Sequence, residues 1–167
     1  GGDVVVLRTS GSDGYNDYLY ADIGGCDSVE TMLVTTRELA DSEYVAWRLR
    51  HAEGIFLAGG DQAQYMTHWK DSAVESALMD AHARGAVIGG TSAGCAVLGE
   101  LVFAAYNDTV YSDEALADPY NQYMTLDHDF LAFPSLAGVV TDTHFGARDR
   151  MGRLVAFVAR LVQDGVA

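Results

Sequence analysis

Residues 85–96 read GAVIGGTSAGCA: an apolar run meets Gly-Thr-Ser-Ala-Gly and then passes into residues suited to a helix. A Gly-x-Ser-x-Gly sequence at a strand-to-helix turn is the pattern of a nucleophile elbow. The serine is held on a strained turn, and glycines flank it because side chains there would collide with neighbouring backbone. The pattern alone is short, and its setting gives it weight. It predicts Ser92 at the carboxyl edge of a buried strand. The backbone N–H of Ala93 then opens the following helix, where it and the positive helix end can face a developing oxyanion.

Working outward from the elbow, short β-branched and apolar runs recur at DVVVLRTS (3–10), VETMLVTT (29–36), GIFLAGG (54–60) and AVIGG (86–90). Helical patterns separate them. One follows Ser42 through Trp47 and Leu49, and AVESALMDAHAR (73–84) stops at Gly85, a good C-cap residue. Short buried strands alternating with helices predict an α/β fold: three layers, a mostly parallel sheet with helices on both faces. Residues 101–137 carry both prolines, Pro119 and Pro134, and read as an excursion with irregular strands; GVVTDTHF (138–145) returns to a strand pattern. The last segment sets Met151, Leu154, Val155, Val158, Leu161 and Val162 at helical spacing, with Arg150, Arg153 and Arg160 off that stripe. Without repeats or linkers, residues 1–167 read as a single domain, long enough to bury a substantial core.

Twenty-four acidic against ten basic side chains give a net charge of −14, which disfavours nucleic-acid phosphates and anionic lipid and favours a cationic partner or substrate. No run of about 18 apolar residues suggests a membrane span, and no signal-peptide pattern is visible, which leaves the compartment open. Cys26 and Cys95 lack metal or redox spacing. Cys95 falls inside the helix after the elbow and reads as a small buried thiol. Trp47, Trp69, Tyr15, Tyr18 and Tyr20 read as packing residues.

A serine nucleophile needs a base, and histidine is the usual one. Of five histidines, His51, His68 and His82 fall in or at the ends of helical patterns. His128, between Asp127 and Asp129, has no further ligands at metal spacing, so no metal site is expected. His144 closes the 138–145 strand pattern and so stands at the carboxyl edge of the sheet, where ligands bind in open α/β folds. Ser92 and His144 are therefore the candidate catalytic pair. Asp142 lies two residues before His144, on the same face at strand spacing, and reads as a pocket residue.

GTSAG (90–94), AGGDQ (58–62) and DTHFGARDRMGR (142–153) together resemble the cyanophycinase branch of the S51 serine peptidases, and the likeness runs through essentially the whole chain. The resemblance implies a class I glutamine-amidotransferase-like fold, a nucleophile at Ser92 and a general base at His144. It also implies an oxyanion hole completed by a backbone N–H of the GGDQ loop, at Gly60 beside that of Ala93. Gln62, Asp142, Arg148, Arg150 and Arg153 match positions implied in substrate binding or in shaping the pocket. An acidic third triad member is expected beyond Ala167, as is a first strand upstream of Gly1, so no residue here takes the third role. Homodimers are common in such a family, and no metal or organic cofactor is implied.

By resemblance the substrate is cyanophycin, a poly-aspartate with arginine amide-linked to its side chains, cleaved to β-Asp-Arg dipeptides. Its carboxylates suit Arg148 at a helix start; its guanidinium groups would need acids such as Asp108, Asp113, Glu114 and Asp118. Two alternatives stay open. One is an S51 dipeptidase for small Asp-containing peptides, kept open by Thr143 where the cyanophycinase motif often has glutamine; the other is a non-catalytic binding domain on the same fold.

Overall fold

The computed structural model describes residues 1–166. Four parallel strands, β1 (Asp3–Arg8), β2 (Ser28–Leu33), β3 (Gly54–Leu57) and β4 (Val87–Gly90), form one sheet in the order β2-β1-β3-β4. In register, Val6 stands beside Phe56 and Leu7 beside Leu57. The two-residue period then divides the side chains between faces. Val5, Leu7, Ile55 and Leu57 join the main core with Leu49, Trp69 and Leu78, while Phe56 meets Tyr15 edge-on on the other side at 5.1 Å. Because both faces are covered, Val5, Val6 and Leu7 are all fully buried, as expected of a parallel strand.

The helices are α1 (Tyr15–Asp17), continued by a π turn at Tyr18–Ile23, then α2 (Arg37–Ala40), α3 (Glu43–His51), α4 (Gln62–Trp69) and α5 (Ala73–Arg84). Caps explain several boundaries. Ser72 accepts from the Val74 N–H at 3.2 Å, and Gly85 ends α5 in the left-handed region at φ 98°, where a side chain would be strained. Asp61 accepts from the Ala63 N–H at 2.9 Å and starts α4, so the sequence read as a GGDQ loop already contains a helix cap.

After a one-turn helix, α6 (Ala93–Ala96), the excursion holds an antiparallel pair, β5 (Leu101–Phe103) and β6 (Leu126–His128), with α7 (Ser112–Ala117) and a 3₁₀ turn at Pro134–Leu136. The chain closes with α8 (Met151–Gln163). The observed architecture is the mixed α/β fold read from the sequence, with a mostly parallel sheet between helices, consistent with a class I glutamine-amidotransferase-like fold. No helix among the described residues is long and apolar enough to cross a membrane.

Three local expectations are corrected. Residues 138–145 do not form a strand: positive φ at Gly138 and His144 interrupts the run, and its pairing is limited to the Val140 bridge to Leu101 and the bond from the Leu101 N–H to the Val139 carbonyl, with side chains supplying much of the rest of the hold. The α8 stripe is rotated: of the expected residues only Leu161 is buried and Leu154 packs against the core. Arg153, Ala156, Phe157 and Leu161 face inward, whereas Met151, Val155, Val158 and Val162 are about half exposed or more. Helical spacing marks a stripe without saying which face packs; here a buried carboxylate draws Arg153 in. Trp69 is buried as expected, but Trp47, Tyr18 and Tyr20 are exposed, and Trp47 stacks on Tyr44 at the surface.

Candidate active site

Ser92 sits between the end of β4 and the start of α6 with φ 52° and ψ −119°, a region that non-glycine residues enter only when their surroundings over-determine it. Close backbone packing supplies that constraint. A Cβ on Gly94 would lie 2.0 Å from the Leu57 carbonyl oxygen, and one on Gly90 would lie 2.6 Å from the Gly94 backbone. The two glycines let α6 press onto the ends of β3 and β4, and the Thr91 N–H is tied to the Leu57 carbonyl at 3.1 Å. The turn is thereby fixed and the serine projects from its apex.

His144 approaches from a different element. Its φ is 55°, and its carbonyl accepts from the Arg148 N–H at 3.0 Å, closing a turn that leads into α8. Ser92 Oγ and His144 Nε2 are 2.8 Å apart. That is hydrogen-bond distance across 52 residues of sequence. Among the described residues no carboxylate meets Nδ1 of His144.

Long-range side-chain bonds hold the histidine segment in place. Thr141 Oγ1 donates to the Cys95 carbonyl at 2.9 Å, tying the segment to the serine helix. Asp142 receives the Arg153 guanidinium through both oxygens, at 2.8 and 2.5 Å, and both side chains are almost wholly buried. Arg153 also donates to Thr109 Oγ1 at 3.0 Å and to the Val110 carbonyl at 3.2 Å, and lies over the rings of Phe103 and Phe157 at 4.9 and 5.5 Å. Arg150 donates to the Thr143 carbonyl at 2.6 Å and stands 3.4 Å from Asp142. Burial, with the neighbouring Arg153 charge, lowers the Arg150 pKa from its ordinary value.

A cavity of about 470 Å³ opens over the pair, and every residue expected at the site lines it: Ser92 and His144, Ala93 and Gly60, Gln62, Asp142, Arg148, Arg150 and Arg153. Their polar groups differ in availability. Neither the Ala93 N–H nor the Gly60 N–H meets a protein acceptor among the described residues. Arg148 forms no ion pair among them either, whereas Arg153 and Asp142 are committed to each other. Gln62 reaches the Phe103 carbonyl only at 3.4 Å. Of the four acids considered for guanidinium groups, Asp108 alone lines the cavity, joined there by Asp61. Glu114 instead caps α7 by accepting from the Tyr111 N–H, and Asp118 holds a turn. Cys95 is partly buried, and burial pushes its thiol pKa up, which disfavours the thiolate.

One part of the wall has no signal in the sequence. Tyr106 lines the cavity and donates to Asp127 at 2.5 Å, while Lys70, just after α4, donates to the same carboxylate at 2.8 Å. Burial would raise the Asp127 pKa, but the bonds from Lys70, Tyr106 and the His128 backbone outweigh it and hold the carboxyl below its ordinary value. These residues are scattered over 58 positions, so no local motif could announce them. No group of side chains suited to a metal ion occurs among the described residues.

Comparison with known proteins places the chain in a class. It belongs to peptidase family S51, whose family model matches residues 15–158. Among individual relatives, it is 31% identical over 146 residues to a cyanophycinase of Synechococcus elongatus, covering 87% of this chain and 42% of that protein. It is 30% identical over 136 residues to a cyanophycinase of Trichormus variabilis, covering 81% and 42%. The chain thus spans less than half the length of these curated relatives. In fold it is similar to the crystal structure of a peptidase from an acI-B1 Actinobacterium, with TM-score 0.56 and 17% identity over 77% of this chain and 50% of that one.

Proposed function

We propose that the protein is a cyanophycinase-like serine hydrolase acting on amide bonds. The observation that carries this reading is the 2.8 Å contact between Ser92 Oγ and His144 Nε2 beneath an open cavity. Ser92 Oγ attacks the substrate carbonyl carbon and its proton passes to His144 Nε2. The resulting oxyanion is held by the N–H groups of Ala93 and Gly60. Collapse breaks the C–N bond, His144 returns the proton to the leaving amine, and water repeats the sequence to release the acid and restore the serine.

Two kinds of charge support an arginine-bearing polyacid as substrate. Arg148, without an ion pair among the described residues, offers its guanidinium for a carboxylate, and Asp61 and Asp108 offer carboxylates for a guanidinium, within a chain whose net charge of −14 attracts cationic groups. Names of relatives add support, since the matched proteins are called cyanophycinases. Release of β-Asp-Arg from cyanophycin is the test. Turnover that falls by about 10⁶-fold in Ser92→Ala is the expected result. Activity on Asp-containing dipeptides but none on the polymer favours the dipeptidase alternative, and absence of both favours the binding domain.

A further inference from the structure

The geometry points to Tyr65 as a positioning residue for the oxyanion-binding peptide at Gly59–Gly60. This inference rests on the serine-hydrolase reading above. Tyr65, on α4, is fully buried, and its ring is stacked on Trp69 with centroids 4.1 Å apart, so its hydroxyl has little freedom. That hydroxyl donates to the Ala58 carbonyl at 2.7 Å and also reaches the Gly59 carbonyl at 3.4 Å. Burial pushes its pKa up to about 12, against the pull of the Arg8 charge. It therefore remains a protonated donor throughout the neutral range.

The consequence follows from the planar trans peptide, in which the C=O of one residue and the N–H of the next point in opposite directions. With the Gly59 carbonyl oriented toward Tyr65, the Gly60 N–H is directed away from it and meets no acceptor among the described residues, while Gly60 itself lines the cavity beside Ser92. Tyr65 Oη and Ser10 Oγ both border Gly60, each 3.4 Å from where a Cβ would stand. The one hydroxyl proton is given to the Ala58 carbonyl, with the Gly59 carbonyl in looser contact; without the hydroxyl the Ala58 carbonyl loses its donor and the Gly59–Gly60 peptide loses the polar group that orients it. The Gly60 N–H is then no longer ready for the oxyanion. Tyr65 acts through Gly60 and touches no substrate.

The test compares phosphonylation of the wild type, Tyr65→Phe and Ser92→Ala by a fluorophosphonate. In this reaction the Ser92 Oγ–P bond forms, the P–F bond breaks, fluoride leaves, and His144 takes the serine proton. The phosphoryl oxygen then occupies the oxyanion position. The expected result is labelling of Tyr65→Phe at least about tenfold slower than wild type, against the 10²–10³-fold associated with losing a whole oxyanion donor. The pH profile of labelling should be unchanged. The Gly60 amide proton resonance, which moves downfield on phosphonylation of the wild type, should move less in Tyr65→Phe; a merely structural loss would not change that signature selectively.

Wild-type labelling rate and Gly60 shift in Tyr65→Phe, with Ser92→Ala unlabelled, overturn the inference and leave the serine-hydrolase reading standing. A wild type that is not labelled overturns both. Should Tyr65→Phe unfold, 3-fluorotyrosine at position 65 replaces it. That residue keeps the ring and changes the acidity of the hydroxyl, so a rate that follows the acidity supports the inference and a constant rate overturns it.

Discussion

The two turns that bring Ser92 and His144 together both place a non-glycine residue at positive φ, 52° and 55°, but they are held there by different means. The serine turn is enforced locally by backbone against backbone, since Gly90 and Gly94 leave no room for a side chain between α6 and the strand ends. The histidine turn has no such contact within its own segment. It depends on Thr141 and Arg153 reaching to distant Cys95 and Thr109, and on Arg150 and Arg153 bonding back to Thr143 and Asp142. A backbone-packed turn should fail sharply on any added atom, and a side-chain-braced turn should weaken in steps.

The largest expected effect tests the first half of that contrast. Gly94→Ala places a methyl group 2.0 Å from the Leu57 carbonyl oxygen, and backbone cannot step aside as a flexible side chain can. We expect a loss of more than about 4 kcal/mol or failure to fold, beyond the usual range for overpacking, measured by urea denaturation. A folded Gly94→Ala protein of near wild-type stability would show that the elbow is looser than the structure describes.

Asp142→Asn comes next. It removes one member of a buried ion pair and leaves the Arg153 charge uncompensated, which should cost about 3 kcal/mol. Hydrolytic activity should fall with it as the 141–144 segment loosens around His144. Replacing Asp142 and Arg153 together by leucine sharpens the point. Stability should largely return while activity stays low, because the pair positions the histidine more than it stabilises the fold. Return of both would mean that the ion pair has no positioning role.

The smallest effect is Thr141→Val, which deletes the hydrogen bond to the Cys95 carbonyl at 2.9 Å. We expect about 1 kcal/mol of lost stability and a severalfold lower kcat at unchanged KM, measured in parallel with thermal unfolding. A changed KM with kcat intact would assign Thr141 to substrate contact instead of to the link between the serine helix and the histidine segment.

Legibility in the sequence follows the same division. The elbow, the four sheet strands and the cap at Gly85 were readable because each is set by residues adjacent in the chain: β-branched runs, a serine among glycines, a glycine ending an apolar helix. His144 was readable as a position, at the carboxyl edge of the sheet, but its segment was expected to be a strand and has only the bridge from Val140 to Leu101 and the bond from the Leu101 N–H to the Val139 carbonyl. Its β-branched alternation resembles a strand, but Thr141 and Asp142 serve instead to bond the Cys95 carbonyl and Arg153. The α8 stripe misled for a related reason: periodicity defines faces, and Arg153 faces inward only because Asp142 waits there.

Sequence by itself determined the α/β alternation and the strained serine turn, because local sterics and short-range patterning leave few other conformations for those stretches. Tertiary structure alone decided that Arg153 is buried, that Arg148 forms no ion pair among the described residues, that Tyr106 and Asp108 join the cavity wall, and that Tyr65 reaches the Gly59 carbonyl. The physical reason is that these outcomes are pairings between charges and hydrogen-bonding groups on separate elements, and a partner's identity is set by how the elements pack.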